Sequence, residues 1–183
     1  MDATAFQQAL RNCIQQLSHQ PQSALAELFD LTAQRLVRYA STIAGNQSDA
    51  EDALQSVFSL LARDPRYITA ALSPWPYLIR SIRNETLRIL RKNARRGPLR
   101  ADATPQNGSN PAEECLTDEV AQHVRRLLQS LPPEQAEVIL LKHWEELTFA
   151  EIADSLNLSQ NTVASRYRYA LEKLQRSLEP LIR

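Results

Sequence analysis

The segment 148–167 constrains the fold more than any other part of the chain. Thr148 and Glu151 have the S/T-x-x-E spacing of a capping box, which predicts that a helix begins there. Asn157 stands where this helix would end, and asparagine tolerates the positive φ that a tight turn requires. Ser159 can then cap a second helix. The segment therefore predicts a helix, a tight turn and a second helix.

The apolar and polar residues of this segment fall on different sides of the two helices. The apolar residues that can meet between the helices are Ile152, Leu156, Leu158 and Val163. The second helix exposes residue types that contact base edges and phosphates in DNA complexes: Gln160, Asn161, Thr162, Ser165, Arg166 and Arg168. A helix-turn-helix places its second helix in the major groove of DNA. The pattern predicts DNA binding, although an ordinary helical hairpin with a polar outer face shares it.

Composition favours an all-α protein. The chain has 183 residues, of which 43% are hydrophobic and only three are glycine. That length is enough for two small domains, and the absence of period-two alternation argues against strands. Cys13 and Cys115 lie far apart without metal-ligand spacing, which indicates free thiols in a reducing compartment. No segment has the pattern of a membrane span or a secretory signal, so we expect a cytoplasmic protein without cofactor or metal.

Residues 97–115 predict a break between two domains. This stretch contains the turn signals Gly97-Pro98, Asn107-Gly108 and Asn110-Pro111, and it has few large apolar residues. The stretch that follows residue 96 is also acidic. We therefore predict an N-terminal helical domain over 1–96, a flexible acidic linker over 97–115 and a C-terminal helix-turn-helix domain over 116–183.

Apolar periodicity predicts the helices of each domain. The N-terminal helices are expected near 3–18, 22–44, 48–63 and 73–96, and the C-terminal ones near 116–130 and 133–144, followed by the helix-turn-helix, whose last helix reaches about 178. Ser48 and Glu51 have capping-box spacing, so the third helix is expected to begin at Ser48. The core candidates of the second helix are Leu25, Leu28, Phe29, Leu36, Tyr39 and Ile43. The apolar stripe of the last helix is expected to continue through Leu171, Leu174 and Leu178.

The helix near 73–96 separates apolar from basic residues. Its apolar side contains Trp75, Leu78, Ile79, Ile82, Thr86, Ile89 and Leu90. Its other side contains Arg80, Arg83, Asn84, Arg88, Arg91, Lys92 and Arg95. The formal net charge of the chain is zero, yet this run is opposed only by Glu85 and has no interleaved salt-bridge partners. The pattern therefore favours a nucleic-acid surface over a solvated helix face.

Three segments in this order resemble the extracytoplasmic-function (ECF) group of the sigma-70 family of bacterial RNA polymerase sigma factors. They are SDAEDALQSVF (48–58), WPYLIRSIRNETLRILRKNARR (75–96) and the stretch 128–175. The resemblance implies a sigma factor that binds core RNA polymerase and directs promoter recognition, strand opening and transcription initiation. The implied partners are core RNA polymerase and promoter DNA, both duplex and melted strand, and an anti-sigma factor is a further candidate.

The resemblance also implies a role for each segment. The polymerase-binding residues are Asp49, Glu51, Asp52 and Gln55. The basic helix would hold the melted minus-ten element, and the loop near 64–76 would capture a flipped base. Trp75 and Tyr77 could stack on bases, but Trp75 also fits the apolar stripe. The residues Gln160, Asn161, Thr162, Ser165, Arg166 and Arg168 would read the minus-thirty-five element.

Several positions depart from the family pattern. Arg88 stands near a position where an acid is common, and Ala164 stands where lysine is usual. Tyr169 and Leu171 replace the two arginines of an R-A-R segment. The last departures imply that two phosphate contacts are missing.

Two other functions remain open at this point. A helix-turn-helix regulator with an N-terminal sensor domain would bind DNA without forming a holoenzyme, although such a domain needs no basic helix. An enzyme is the third reading, because Glu51/Asp52 and Glu145/Glu146 are acid pairs. No histidine, cysteine or glycine-rich loop accompanies either pair at a useful spacing, so we predict no catalytic residue.

Overall fold

The computed structural model describes residues 3–95, 127–128 and 130–178. These residues contain helices and turns but no strand, which confirms the predicted all-α class. The chain divides into two compact units, Met1–Gln106 and Asn107–Arg183. The predicted linker, Cys115 and most of the helix expected near 116–130 lie outside the described residues, so the exact domain limits stay a prediction. Among the described helices, none combines the length and apolarity that a membrane span needs.

Within residues 3–95, the N-terminal unit has four long helices and one short one. They are α1 (Ala3–Gln16), α2 (Pro21–Ala44), α3 (Gln47–Arg63), α4 (Arg66–Thr69) and α5 (Pro74–Arg95). Helices α2, α3 and α5 pack against one another, and α1 packs on α2. The core between them includes Leu10, Leu28, Leu36, Leu61, Ile79 and Ile82, all almost fully buried. Burial of this apolar face fixes α5 with its basic face toward solvent.

Trp75 belongs to the core of this unit. Its side chain is 0% exposed, and its ring meets the ring of Phe6 edge-on with centroids 4.9 Å apart. The guanidinium of Arg35 lies 4.0 Å from the Phe6 centroid and 4.9 Å from the Trp75 centroid. These contacts hold α1 against the start of α5. The core position is therefore confirmed for Trp75, and a base-stacking role is wrong.

Helix α3 begins one residue earlier than predicted and uses a different cap. Gly45 ends α2 at a φ of 73°, and its N–H donates to the Ser41 carbonyl. Asn46 then caps α3, because its Oδ1 accepts the N–H of Asp49 at 2.8 Å. The predicted capping box of Ser48 with Glu51 is wrong, since Asn46 already satisfies the helix start and asparagine caps as well as serine.

Three predicted core residues of α2 are more exposed than expected, among them Leu25, which is half-buried. Phe29 is 41% exposed, with its ring edge-on to Phe58 at 5.0 Å, and Ile43 is half-buried. Thr32 is buried instead, because its hydroxyl donates to the Leu28 carbonyl at 2.7 Å. A threonine that satisfies its hydroxyl on its own helix can enter a core.

The C-terminal unit contains α6 (Pro133–His143), α7 (Phe149–Leu156) and α8 (Gln160–Leu178). Helix α8 packs on both α6 and α7. The core of this unit includes Val138, Leu141, Leu147, Ile152, Val163 and Ala170. Since Val163 and Ala170 face inward, the opposite side of α8 is presented to solvent.

The predicted apolar stripe of α8 is partly wrong. Leu171 is 42% exposed, whereas Tyr167 and Leu174 pack on the cluster that contains Ala170. The inner stripe therefore runs from Val163 through Tyr167 and Ala170 to Leu174. Each helical residue turns by about 100°, so Leu171, next to Ala170, lies outside this stripe. The side chain of Leu178 lies outside the described part of the chain.

Candidate nucleic-acid interface

The predicted helix-turn-helix is confirmed in its local geometry. The N–H of Thr148 donates to Glu151 Oε2 at 2.8 Å, and the N–H of Glu151 donates to Thr148 Oγ1 at 3.2 Å. Asn157 has φ 55° and ψ 51°, the left-handed conformation predicted for the turn. Both short-range signals thus fix where α7 begins and ends.

Ser159 caps the second helix as predicted. Its Oγ accepts the N–H of Thr162 at 3.1 Å and lies 2.8 Å from Thr162 Oγ1. Gln160 and Asn161 are exposed in the first turn of α8, whereas Thr162 is half-buried. The first turn therefore presents two amide side chains to solvent next to the unsatisfied N–H groups of a helix start.

The remaining predicted DNA-contacting residues of α8 are not equally placed. Arg168 is exposed, and its guanidinium lies 5.0 Å from the Tyr169 ring centroid. Ser165 is half-buried. Arg166 lies at the edge of the helix beside α6, with its Nη2 3.3 Å from Glu134 Oε2. Only 25% of the Arg166 side chain is exposed, so its charge is directed toward α6.

The basic face of α5 forms a continuous solvent-facing stripe. Its exposed members are Asn84, Arg88, Arg91, Lys92 and Arg95. Arg80 and Arg83 are half-buried along its length, and both engage in interactions within the unit. The structure therefore brings the predicted residues together on one helix but leaves them with different exposure.

One arginine of this stripe is engaged by an acid. Arg88 Nε donates to Glu85 Oε2 at 2.8 Å, and its Nη2 donates to the other carboxylate oxygen. The hydrogen bond from Arg88, together with one from Ser56, holds the pKa of Glu85 below its usual range. The prediction that the basic run lacks an interleaved partner is wrong at this point, because Glu85 and Arg88 meet at i,i+3 spacing.

A groove of about 330 Å³ lies between α3 and α5 beside this stripe. Its apolar part includes Val57, Leu60 and Leu61. Its polar side includes Tyr77, Asn84, Glu85, Arg88 and Arg91. Leu60 is 44% exposed there. An apolar floor can accommodate a flat ring, and Arg91 at the edge of the groove can meet a phosphate attached to that ring.

The loop expected near 64–76 contains a helical turn that the sequence did not predict. Asp64 receives two hydrogen bonds of 2.8 Å from the Arg66 guanidinium, and this partner lowers the pKa of Asp64. Ile68 is fully buried and anchors α4 to the core, whereas Tyr67 is 50% exposed. The exposed aromatic ring of this loop is therefore that of Tyr67 and not that of Trp75.

The four predicted polymerase-binding residues also differ in their surroundings. Glu51, Asp52 and Gln55 are exposed on α3, whereas Asp49 is half-buried. Asp49 accepts hydrogen bonds from Asn46 Nδ2 at 3.0 Å and from Asn93 Nδ2 at 3.2 and 3.3 Å. The sequence analysis missed Asn93. The available signal was a polar residue in register with the apolar stripe of α5, seven residues after Thr86.

The two acid pairs noted in the sequence lie in different local surroundings. Glu51 accepts a hydrogen bond from Gln47 at 2.6 Å. Glu145 is buried at the turn after α6, and Glu146 has a positive φ of 56°. No group of three or more metal-ligating side chains occurs within the described ranges. Cys13 is buried without a disulfide, and burial raises the pKa of its thiol.

Comparison with known proteins assigns both units. Residues 28–96 match the family model described as Sigma-70 region 2, and residues 121–174 match Sigma-70, region 4. SigE of Mycolicibacterium smegmatis is 32% identical over 81% of this chain and 59% of its own length. SigW of Bacillus subtilis is 25% identical over 94% of this chain and 98% of its own length. Both relatives are described as ECF RNA polymerase sigma factors.

A solved structure has the same fold. It is the sigma factor RpoE of Bartonella quintana in complex with the anti-sigma factor NepR, with a TM-score of 0.62 and 21% identity. The match covers 82% of this chain and 94% of that one. At this identity the likeness supports the arrangement of helices and not the roles of individual residues.

A helical unit with a basic face, followed by a unit with a helix-turn-helix, defines a DNA-binding transcription protein. This chain belongs to the sigma-70 family of RNA polymerase sigma factors, in the ECF group. Sigma factors are DNA-recognition proteins without an enzymatic activity of their own, and they direct promoter recognition with RNA polymerase. The alternative of a regulator with a sensor domain is wrong, because the N-terminal unit matches region 2.

Proposed function

We propose that this ECF sigma factor uses three surfaces: the start of α3 for core RNA polymerase, the basic face of α5 for the melted minus-ten element, and the start of α8 for the minus-thirty-five duplex. The observation that carries the proposal is the exposed basic stripe of α5 in a unit separate from the helix-turn-helix. A protein that only bound duplex DNA would need the start of α8 and no basic face on α5.

The polymerase surface is centred on Glu51, Asp52 and Gln55. All three side chains are exposed on α3. Acidic residues in the first turns of a helix are favoured by the macrodipole, so the surface is compatible with a stable α3. Asp49 stands at its border, because its carboxylate already accepts hydrogen bonds from Asn46 and Asn93.

The melted strand would follow the basic stripe of α5. Arg91, Lys92 and Arg95 are exposed there and suit backbone phosphates, which attract cations in a salt-dependent manner. The groove between α3 and α5 gives room for an unstacked base beside Tyr77. Tyr67, which is 50% exposed in the preceding loop, is a second ring on which a base could stack.

The duplex surface lies at the start of α8. Gln160 and Asn161 are amides that can make paired hydrogen bonds to adenine, and Arg168 can reach a guanine edge or a phosphate. The N-terminal N–H groups of α8 add a site for one phosphate. These contacts suit the upstream promoter element, which stays double-stranded.

The same proposal implies where the protein works and which molecule carries out the reaction. A sigma subunit works where the polymerase and the chromosome are, so we place this chain in the cytoplasm. The polymerase would carry out all bond making, and the sigma factor would supply no catalytic residue. An anti-sigma factor is the further partner that we propose, because the solved protein of the same fold was crystallised with one. The fraction of the tagged chain that is purified from its host free of polymerase should contain such a partner, which mass spectrometry would identify.

Reconstitution with core RNA polymerase tests the proposed function. Transcription starts mapped across the host genome should share two upstream elements, and permanganate should detect unpaired thymines near each start. Asp52→Lys should weaken core binding without unfolding the domain, because Asp52 is exposed. Asp30→Lys, the same charge reversal at an exposed position of α2 outside the three proposed surfaces, is the matched control. Starts without shared elements, or unchanged core affinity of a folded Asp52→Lys protein, would contradict the proposal.

A further inference from the structure

The last turn of the basic helix extends beyond the hydrophobic core. On α5 the last buried residue is Thr86, and every residue from Arg91 to Arg95 is exposed. This turn nevertheless contains Arg91, Lys92 and Arg95, three of the cations proposed to hold the melted strand. Helix ends without packed side chains fray, and frayed residues do not hold their charges in fixed positions.

An amide side chain connects this turn to the start of α3. Asn93 Nδ2 lies 3.2 Å from Asp49 Oδ1 and 3.3 Å from Asp49 Oδ2, across 44 residues of sequence. The carboxylate of Asp49 is itself fixed, because it accepts a hydrogen bond from Asn46 Nδ2 at 3.0 Å. Asp49 also donates its N–H to Asn46 Oδ1 at 2.8 Å. Asn93 therefore meets an acceptor that the cap of α3 holds in place.

The direction of Asn93 on α5 decides where the cations point. Asn93 follows Thr86 by seven residues and Ile82 by eleven, so it continues the inner side of the helix toward α3. Arg91 and Arg95 stand two residues away on either side, which turns them by about 200° from Asn93. A hydrogen bond that holds Asn93 against α3 thus holds both arginines on the solvent side.

We infer that Asn93 is a positioning residue for strand binding, which acts through Asp49 and couples the start of α3 to the basic end of α5. The inference rests on the proposed function of both surfaces. Asn93 itself does not need to contact DNA. Its consequence is that a change at Asp49, on the polymerase side of the unit, alters the binding of the melted strand.

The test uses the holoenzyme and four variants. The probe is a fluorescent single-stranded oligonucleotide with the nontemplate minus-ten sequence of a promoter mapped as above, at saturating core polymerase. Asn93→Ala and Asp49→Ala should each weaken probe binding about three- to tenfold, the range for loss of one hydrogen bond. The double variant should lose no more than either single one, because both remove the same contact. Asn93→Asp should weaken probe binding the most, because it places a second carboxylate against that of Asp49.

The sign of the Asp49 effect separates positioning from simple electrostatics. Asp49→Ala removes a negative charge near a cationic helix, so electrostatics alone would strengthen binding of a polyanion. Weaker binding is therefore the result that supports positioning. Gln47→Ala is the control, since it removes the Gln47–Glu51 hydrogen bond at the same helix start without reaching α5. Hydrogen exchange in the free chain should be faster at residues 91–95 in Asn93→Ala and unchanged in Gln47→Ala.

The outcomes distinguish this inference from the proposed function. If the wild-type chain binds neither polymerase nor the probe, the proposed function fails. If the wild-type chain binds both, the inference is overturned by unchanged probe affinity of Asn93→Ala, by stronger binding of Asp49→Ala, or by additive losses in the double variant. Unchanged exchange at residues 91–95 in Asn93→Ala would overturn it as well.

Discussion

Arg166 Nη2 lies 3.3 Å from Glu134 Oε2, so an ion pair joins the recognition helix α8 to the first turn of α6. Glu134 is 70% exposed, whereas only 25% of the Arg166 side chain is exposed. An ion pair with one partner so exposed contributes little to stability, commonly about 0–1 kcal/mol. Its main effect is to place the Arg166 charge at the edge of the proposed duplex surface, next to a carboxylate that DNA phosphates would repel.

This placement predicts that Arg166 contacts a phosphate rather than a base. Arg166→Ala should weaken duplex binding by a similar factor for all sequences and lower the slope of log affinity against log salt by about 1. Glu134→Gln should strengthen binding, because it removes a negative charge without removing Arg166. Filter binding of promoter duplexes at several salt concentrations measures both effects. A loss in Arg166→Ala that is confined to one base pair would show base readout instead.

Two arginines on the basic face of α5, Arg88 and Arg91, differ in their hydrogen-bond partners. Arg88 is hydrogen-bonded to the carboxylate of Glu85. In the described structure Arg91 has no such acidic partner, and its Nε donates to the Leu87 carbonyl at 3.0 Å. We therefore expect Arg91→Ala to impair strand opening more than Arg88→Ala, because the charge of Arg88 is largely neutralised. Permanganate reactivity of thymines in the holoenzyme complex measures opening.

Binding of the closed duplex provides the control for this comparison. Both α5 variants should keep wild-type duplex binding, since the start of α8 is unchanged in each. Equal loss of duplex binding in both variants, with opening unaffected, would show that α5 is only a general electrostatic anchor.

The pair of Glu85 and Arg88 also predicts how stability depends on pH. The hydrogen bond from Arg88 lowers the pKa of Glu85 in the folded state. A carboxyl with a lowered folded pKa stabilises the fold above its unfolded pKa, and this contribution is lost as the pH falls through the lowered value. Wild-type stability should therefore decline below the ordinary glutamate pKa of about 4.3.

Two substitutions isolate this contribution. Glu85→Gln removes the titrating group, and Arg88→Ala removes its partner, so the decline in stability below that pH should be smaller in both than in the wild type. Urea unfolding followed by circular dichroism across the acid range measures it. An unchanged pH dependence in Glu85→Gln would mean that other carboxyls account for the acid response.

Features set by short segments of sequence were predicted correctly. The capping box at Thr148, the left-handed Asn157 and the Ser159 cap depend on residues within a few positions of one another. The start of α3 was misjudged because Asn46 and Ser48 are competing caps two residues apart. The leucine spacing of α8 predicts a buried Leu171, whereas the smaller Ala170 is the residue that faces inward.

Contacts between helices could not be predicted from the sequence. Arg88 was within reach of Glu85 by spacing alone, but the partners of Arg166 and Asn93 are distant in sequence and depend on how the helices pack. The sequence therefore predicts suitable residue types on the correct helices, but not the contacts that those side chains make. The structure adds which side chains are exposed and which are held by acids.

The exposed positions Tyr169 and Leu171 allow a gain-of-function test. They are 50% and 42% exposed on α8, at the two positions where the resemblance to the sigma family implies arginines. Tyr169 follows Ser165 by four residues, and Leu171 follows Arg168 by three, so each neighbours a residue proposed to contact DNA. Tyr169→Arg and Leu171→Arg should each strengthen duplex binding and steepen the slope of log affinity against log salt by about 0.9 per phosphate neutralised.

The control for this test is a cation placed further along the same helix. Gln175→Arg adds the same charge at an exposed position on the last turn of α8, away from the helix start. Its effect should be smaller than that of either substitution, because a phosphate contact requires proximity as well as charge. Since Ala170 between the two positions is buried and unchanged, the packing of α8 should persist, which circular dichroism can verify. An equal gain in all three variants would show only general attraction, and positions 169 and 171 would then not be sites of missing phosphate contacts.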